Sequence, residues 1–493
     1  MIPRSSGVLL PILSLPGPYG VGTLGKEARQ FVDFLASARQ RYWQILPLVP
    51  PGGGDSPYMA ASSFAGNPFF LDLDALAQEG LLTREELESA RCPDPDRPDY
   101  PWLHRTRPPL LRAVWQRGRE KYRADLAAFC DQESDWLPDY ALFMALRGHF
   151  EGKELADWPA DVRRRDPAAL APLKQALADE VEYQSFLQFL FYRQWTALKA
   201  YANERNVSII GDLPIYVSPD STEVWAHPEL FLLDEEAHPT AVAAVPPDAF
   251  STTGQHWGNP LYDWSAHRAD GFAWWRQRGE HMARLYNVVR IDHFRAFHTY
   301  WSIPTEAQTA MEGHWEPGPG MELVEVLRAI PGLSLIAEDL GDLDDSARAF
   351  IAGSGLPGMK VLVYAFDPVG ESAYLPHNCP RNAVCYTGTH DTPTFVQWLF
   401  QLASPAERDY ASDYLRLRPD EGFGWGAVCG AWATPWALAM APMQDLLGLG
   451  GDARMNAPGT MGPENWSWRV RAEALNPDVA GQLGRITRTY RRG

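Results

Sequence analysis

Four short stretches of this chain end in side chains that can carry protons or attack an electrophilic carbon. Asp212 closes "SIIGD", Asp292 closes "VVRID", Glu338 and Asp339 close "LIAED", and His390 and Asp391 close "CYTGTHD". A single acid after an apolar run commonly caps the next helix. Acids at four such ends, three of them after fully apolar runs, exceed that need. Carboxylates gathered at one place without a metal suit the cleavage of a glycosidic bond. One serves as nucleophile or base and another as proton donor, about 5 to 5.5 Å apart where configuration is retained. The His390–Asp391 pair also suits a metal, as in metal phosphohydrolases, but such a site requires further histidines in local patterns. Only His293 occupies a comparable strand end.

For these ends to meet, the runs that carry them must be strands of one sheet. Short apolar runs, rich in β-branched residues and bounded by Gly, Pro, Asp or Asn, recur at 7–15, 42–50, 206–217, 287–294, 333–341, 358–366, 382–391 and 436–447. Helical patterns lie between several of them. In "GKEARQFVDFLASARQ" the apolar residues fall three and four apart. Near-continuous apolar strands alternating with helices indicate a parallel sheet covered on both faces. Eight of them predict an α/β fold, a (β/α)8 TIM barrel, whose C-terminal strand ends share one mouth.

Residues 75–195 are too long for a simple crossover. Thr83 with Glu86 three residues on forms a capping-box pattern, and "DWLPDYALFMALRGHF" and "EVEYQSFLQFLFYRQW" carry helical spacing. The expected organisation is a barrel of residues 1–74 and 196–493 with a helical insertion subdomain at 75–195. A stretch at about 241–264, rich in Pro, Gly and aromatics, reads as a long loop over the active site.

Composition removes several function classes. The net charge is −18, and no long basic run is present, which argues against a nucleic-acid or anionic-membrane partner. Five scattered cysteines without a CxxC pair fit a reducing compartment and give no zinc site. No apolar run approaches the ~20 residues of a membrane helix. The early "GVLLPILSLP" is broken by Pro11 and Pro16 and lacks a signal cleavage site, so it reads as the first strand. A cytoplasmic protein is expected. Gly20, Gly22 and Gly25 match G-x-G-x-x-G, but no acid follows until Asp55, so a Gly-rich barrel loop is favoured over a nicotinamide site. The 19 tryptophans serve either a large aromatic core or the flat faces of sugars.

The motifs "GDLPIYV", "VRIDHFRA", "AEDLG" and "GTHDTPT" resemble the four strand motifs of the α-amylase clan. More specifically they resemble the amylomaltases, also called disproportionating enzymes or 4-α-glucanotransferases, of glycoside hydrolase family 77. "WQILPLVPPGGGDSPYMAASSFAGNPFFLDLD", "VPPDAFSTTGQHWGNPLYDW", "LPGMKVL", "RMNAPGT" and "NWSWR" extend the resemblance over essentially the whole chain. The resemblance implies a barrel with inserted subdomains and no C-terminal β-sandwich. It implies transfer of an α-1,4-glucan segment to the 4-hydroxyl of an acceptor by double displacement with retention, using no metal or organic cofactor. Maltooligosaccharides, amylose and glycogen or starch fragments would be donors, and glucose an acceptor. Asp292 would be the nucleophile, Glu338 the general acid and base, and Asp391 the group holding the hydroxyls of the distorted sugar. Asp212, Arg290, His293 and His390 would complete that subsite. Tyr58 and Asn456 would add sugar contacts, and Phe250, Gln255 and Trp257 would guide the glucan chains. Ala249 stands where the family often has Tyr.

Elementary chemistry supports the same roles. Period-2 alternation puts Arg290 and Asp292 on one face of a strand, where the cation favours an ionised carboxylate. Glu338 must hold a proton at working pH, so its surroundings are expected to raise its pKa. The oxocarbenium-like transition state is positive, which a mouth of carboxylates stabilises. A transferase also requires the acceptor sugar to outcompete water, which favours aromatic platforms near the acids. Two alternatives remain open at this point: a maltodextrin hydrolase with the same triad, and a non-catalytic glucan-binding barrel.

Overall fold

The structure, a computed structural model, describes residues 3–247, 251–378 and 382–493. The predicted apolar runs form eight strands: β1 (Ser5–Leu9), β2 (Tyr42–Gln44), β3 (Ser208–Leu213), β4 (Val288–Ile291), β5 (Leu335–Ala337), β6 (Gly358–Val361), β7 (Ala383–Tyr386) and β8 (Leu438–Pro442). Each pairs in parallel with the next in chain order, and β8 closes the barrel against β1 with Ser5 opposite Leu438. Within the strands only Ser208 and Lys360 fall short of full burial. Barrel interior on one side and helices on the other explain why these segments are apolar throughout rather than alternating.

The helix Lys26–Ser37 buries Ala28, Phe31, Val32 and Leu35, the stripe expected from its spacing. It packs against Ala178–Glu204 and the C-terminal helix Pro477–Thr489. In the preceding loop Gly22 serves packing, since a Cβ there would lie 1.8 Å from the Ile12 carbonyl oxygen, and Gly20 serves a left-handed turn at φ 78°. Between β2 and β3 the chain is helical, including Tyr100–Gly118, Leu137–His149 and Ala178–Glu204. The Thr83–Glu86 capping box forms with both of its hydrogen bonds, at 2.8 and 3.2 Å. The helix Ala178–Glu204 continues past residue 195 onto the barrel. There Trp195 Nε1 donates to the Leu285 carbonyl at 3.2 Å, and Tyr201 donates to Asp33 at 2.9 Å.

The stretch about 241–264 departs from the expected long loop. Ala241–Val245 and Gln255–Pro260 are strands of a four-stranded antiparallel sheet completed by Thr299–Pro304 and His314–Pro317 from the connection after β4. Val242 and Ala244 point into a small core with Ile303, Ala307 and Ala310. Ala241–Val245 pairs on one side with Gln255–Pro260 inside the segment and on the other with Thr299–Pro304 beyond a whole barrel strand, so local Pro and Gly content misrepresented the segment. Among the described residues no helix is long and apolar enough to cross a membrane.

Candidate active site

Strand register sets the site. Asp212 on β3 lies opposite Arg290 on β4, and Ile291 lies opposite Ala337 on β5. The next residues, Asp292 and Glu338, therefore leave their strands side by side. The Asp292 N–H donates to the Leu213 carbonyl at 3.0 Å, and the Glu338 N–H donates to Ile291 at 3.0 Å, so each turn is tied to the neighbouring strand. The seventh strand stops at Tyr386, and His390 and Asp391 sit in the following turn. Thr389 N–H donates to Thr392 Oγ1 at 2.9 Å within that turn. Asp445, beyond β8, anchors it by accepting from the Thr387 hydroxyl at 2.5 Å and the Phe395 N–H at 2.8 Å.

One guanidinium organises the floor. Arg290 Nη1 donates to both oxygens of Asp212 at 2.7 and 2.6 Å, and its Nη2 donates to Asp292 Oδ1 at 2.7 Å. The Tyr58 hydroxyl donates to Asp212 Oδ2 at 2.6 Å and lies 2.7 Å from His390 Nε2. His390 Nε2 also faces Asp391 Oδ2 at 3.1 Å, and Asn456 Nδ2 donates to Asp391 Oδ1 at 2.7 Å. Side-chain exposure separates two layers. Asp212, His390 and Arg290 are 0%, 1% and 3% exposed, whereas Asp292 and Asp391 are 26% and 35% exposed. The upper pair can touch a ligand. The lower three hold that pair in place.

Glu338 is gripped by backbone. The His293 N–H donates to Oε2 at 2.8 Å and the Leu340 N–H to Oε1 at 2.6 Å. His293 makes this bond from a left-handed conformation, φ 50°, which a non-glycine residue adopts only where its surroundings enforce it. Trp257 stands edge-on to the His293 ring, with centroids 4.9 Å apart, and donates its Nε1–H to Gln255 Oε1 at 3.3 Å. Phe250 and Ala249 lie outside the described residues.

The acids titrate differently because their surroundings differ. Burial raises Glu338 well above the ordinary carboxyl range, and the charge of Asp292 adds to it, against Arg290 and the two amides. Asp292 is also raised by burial, with Arg290 opposing and Asp212 and Asp391 adding, and it remains the more acidic of the two. Arg290 therefore does less for Asp292 than strand spacing alone predicts, because Asp212 takes two of its three charged hydrogen bonds. Burial would raise Asp391 too, but His390 and Asn456 outweigh it and hold Asp391 down to about 2. His390 is raised in turn, its burial outweighed by Asp391. His293 is lowered to about 4 by burial and by Arg295. It stays neutral near neutral pH.

Four supporting residues escaped sequence reasoning. Trp466 packs on the Tyr58 and His390 rings at 5.7 and 6.2 Å. Arg454 donates to the Asp391 carbonyl at 3.0 Å and to the Asn456 carbonyl at 2.8 Å. Met359 Sδ receives Arg290 Nε–H at 3.3 Å. Asp445 is fully buried, with burial raising its pKa to about 6. Trp466, Arg454 and Met359 fall inside "NWSWR", "RMNAPGT" and "LPGMKVL", so a signal existed for them; Asp445 carries none. Arg290→Met would leave the Asp212 carboxylate buried without its cation. An expected loss of about 3–5 kcal/mol follows for removal of one partner of a buried pair. Chemical denaturation checks it, and a loss below about 1 kcal/mol, the range of exposed pairs, would show that charge does not hold this floor.

Residues 10–475 match the family model described as 4-alpha-glucanotransferase. A 4-alpha-glucanotransferase from Thermus thermophilus is 46% identical, aligned over 98% of this chain and 98% of its own. One from Clostridium butyricum is 42% identical over 98% and 99%. The structure of an amylomaltase from Streptococcus agalactiae in complex with acarbose superposes with a TM-score of 0.96 at 42% identity, covering 99% of this chain and all of that one. An amylomaltase from Corynebacterium glutamicum shares the fold, with a TM-score of 0.81 at 19% identity over 98% of this chain and 75% of its own. These relatives favour transfer over hydrolysis. With the family model spanning all but the ends of the sequence and relatives aligned along nearly its whole length, the chain belongs to the 4-alpha-glucanotransferase family.

Proposed function

We propose that the enzyme moves α-1,4-glucan segments by a retaining double displacement in which Asp292 is the nucleophile and Glu338 the acid and base. The supporting observation is the register that sends Asp292 and Glu338 out of adjacent strands, with Glu338 the less acidic of the two. In the first half, the Asp292 carboxylate attacks the anomeric carbon. The bond to the leaving glycosidic oxygen breaks, and that oxygen takes the proton from Glu338. In the second half, Glu338 accepts the proton of an acceptor 4-hydroxyl, whose oxygen displaces Asp292 and restores the α configuration. Asp391, kept ionised by His390 and Asn456, holds ring hydroxyls of the distorted sugar. Asp212, Arg290 and His390 support from below, with Tyr58 linking them to the mouth. Trp257, Gln255 and His293 form one wall, which favours a sugar acceptor over water.

The substrates we propose are maltooligosaccharides, amylose and glycogen or starch fragments, with glucose as an acceptor. Residues 75–195 are proposed as a helical insertion on the barrel. A cytoplasmic location is proposed from the free cysteines Cys92, Cys130 and Cys429 among the described residues. Incubation with maltotriose alone is the test: free glucose should appear together with a ladder of products longer than the substrate. Products exclusively shorter than maltotriose would overturn the transfer reaction.

A further inference from the structure

Arg295 touches none of the acids, yet it is only 9% exposed. It lies in the short 3-10 turn Phe294–Phe297 that follows β4. Its Nη1 donates to the Asp342 carbonyl at 2.5 Å and its Nη2 to Asp344 Oδ2 at 3.1 Å. Its guanidinium lies 3.9 Å from the centre of the Trp315 ring, on the edge strand of the accessory sheet. Its Nε is buried without a hydrogen-bond partner. An arginine left partly unsatisfied is a poor choice for stability alone. What it does achieve is to join three segments at the barrel mouth: the turn after β4, the loop after β5, and the accessory sheet.

Two of those segments grip Glu338. The His293 amide comes from the turn after β4 and the Leu340 amide from the loop after β5. The same turn is laced to the Glu338 backbone, whose carbonyl accepts from the Phe294 N–H at 3.2 Å. Arg295 follows directly on that turn, and its two acceptors follow directly on that loop.

We infer that Arg295 is a positioning residue: by stapling the turn after β4 to the loop after β5, it keeps the His293 and Leu340 amides on the Glu338 carboxylate. This rests on the reading of Glu338 as acid and base. Amide donors favour the ionised carboxylate, the form Glu338 must take after it has protonated the leaving group and before it accepts the acceptor's proton. Loosening them makes that form harder to reach. The other groups facing Glu338 are Arg290 and Asp292 from β4, Asp339 with its partner Lys360 on β6, and Tyr374 from the connection after β6. None of them bonds to Arg295, and the His293 imidazole, which Arg295 helps to lower, stays lowered by its burial when Arg295 is replaced.

The test is the pH profile of maltotriose transfer, with kcat and KM resolved. Arg295→Met should lower kcat about ten-fold with KM within about two-fold, the scale of a small misplacement of a catalytic group. Its basic limb should move to higher pH, because Glu338 ionises less readily. Arg295→Lys keeps the charge, but its single ammonium cannot reproduce the two-armed grip, so the limb should stay shifted. Asp344→Ser retains an N-cap oxygen for the Ala347 N–H, which Asp344 accepts at 2.8 Å, and removes the carboxylate that forms the second arm and accepts from Ser346 Oγ at 2.6 Å. It should shift the limb the same way by a smaller amount, and it decides the matter if Arg295→Met does not fold. A parental limb in Arg295→Met or Asp344→Ser would overturn the staple. Full recovery in Arg295→Lys would also overturn it, assigning the effect to charge at a distance. Glu338→Gln run in parallel separates the two layers: if it retains maltotriose transfer, the reading of Glu338 has failed, whatever Arg295 does.

Discussion

Asp292→Asn should reduce transfer from maltotriose on the order of 10⁴ to 10⁶-fold, the range seen when a covalent nucleophile is removed. The amide keeps the shape of the carboxylate and its oxygen can still accept from Arg290 Nη2, now 2.7 Å from Asp292 Oδ1. The fold and the floor beneath it should therefore persist. Maltooligosaccharide binding should persist as well, because Asp391, Trp257 and Tyr58 are untouched. What is lost is the only oxygen in this position able to form a glycosyl ester, since Asp212 is fully covered and bonded to Arg290 and Tyr58. Binding is read by calorimetry and transfer by the product ladder. Residual transfer within about ten-fold of the parent would sink the assignment of Asp292, as that loss is smaller than removal of a general acid alone produces. A second consequence follows from charge. The Asp292 carboxylate helps to raise Glu338, so the asparagine variant should show Glu338 titrating at lower pH than in the parent.

Glu338→Gln carries the second large effect, and the choice of donor divides it. With maltotriose, whose leaving sugar needs a proton, the loss should be about 10² to 10⁴-fold. With α-maltosyl fluoride, whose leaving group needs none, formation of the glycosyl ester should stay fast. The ester should then accumulate, because no base remains to activate the acceptor hydroxyl. Added azide, which requires no base, should release it as an α-glycosyl azide. Equal losses with both donors would reject Glu338 as the acid. The parent's pH profile supplies the same information by another route. Activity rises with pH as Asp292 ionises and falls as Glu338 gives up its proton. Because burial raises Glu338 above Asp292, the active form, with Asp292 ionised and Glu338 protonated, spans a window above the ordinary carboxyl range. In Glu338→Gln assayed with the fluoride, the falling limb should vanish.

Much of this architecture was written locally. Seven of the eight barrel strands lie within runs picked out by apolar continuity and bounding turn residues, and the first, Ser5–Leu9, begins two residues before its run. That succeeds because a strand covered on both faces must be apolar at every position, a property of a few consecutive residues. The acids were legible for the same reason. A polar group that interrupts such a run at its end has left the barrel interior, and parallel strands send all those ends to one mouth. The capping box at Thr83 was readable because its two bonds span only three residues. The segment at about 241–264 was not, because Ala241–Val245 takes one partner, Thr299–Pro304, from across a barrel strand, and its local pairing with Gln255–Pro260 shifts register between Val242 and Ala244.

By itself, then, the sequence determined the barrel, the order of its strands and which carboxylates reach the mouth, since each depends on neighbouring residues and on one topological rule. The tertiary structure alone decided what each acid does there. Asp212 and Asp292 end similar strands, yet one is sealed beneath Arg290 and Tyr58 while the other is presented to the mouth. Glu338 and Asp391 both face the mouth, yet burial raises one well above the ordinary carboxyl range while His390 and Asn456 hold the other down. Asp445 and Trp466 steady the site from distant parts of the chain, and Arg295 links turns that meet only in the folded barrel. Charge state follows from desolvation and from partners within a few ångströms, and in a closed barrel those partners are supplied by segments far apart in the chain.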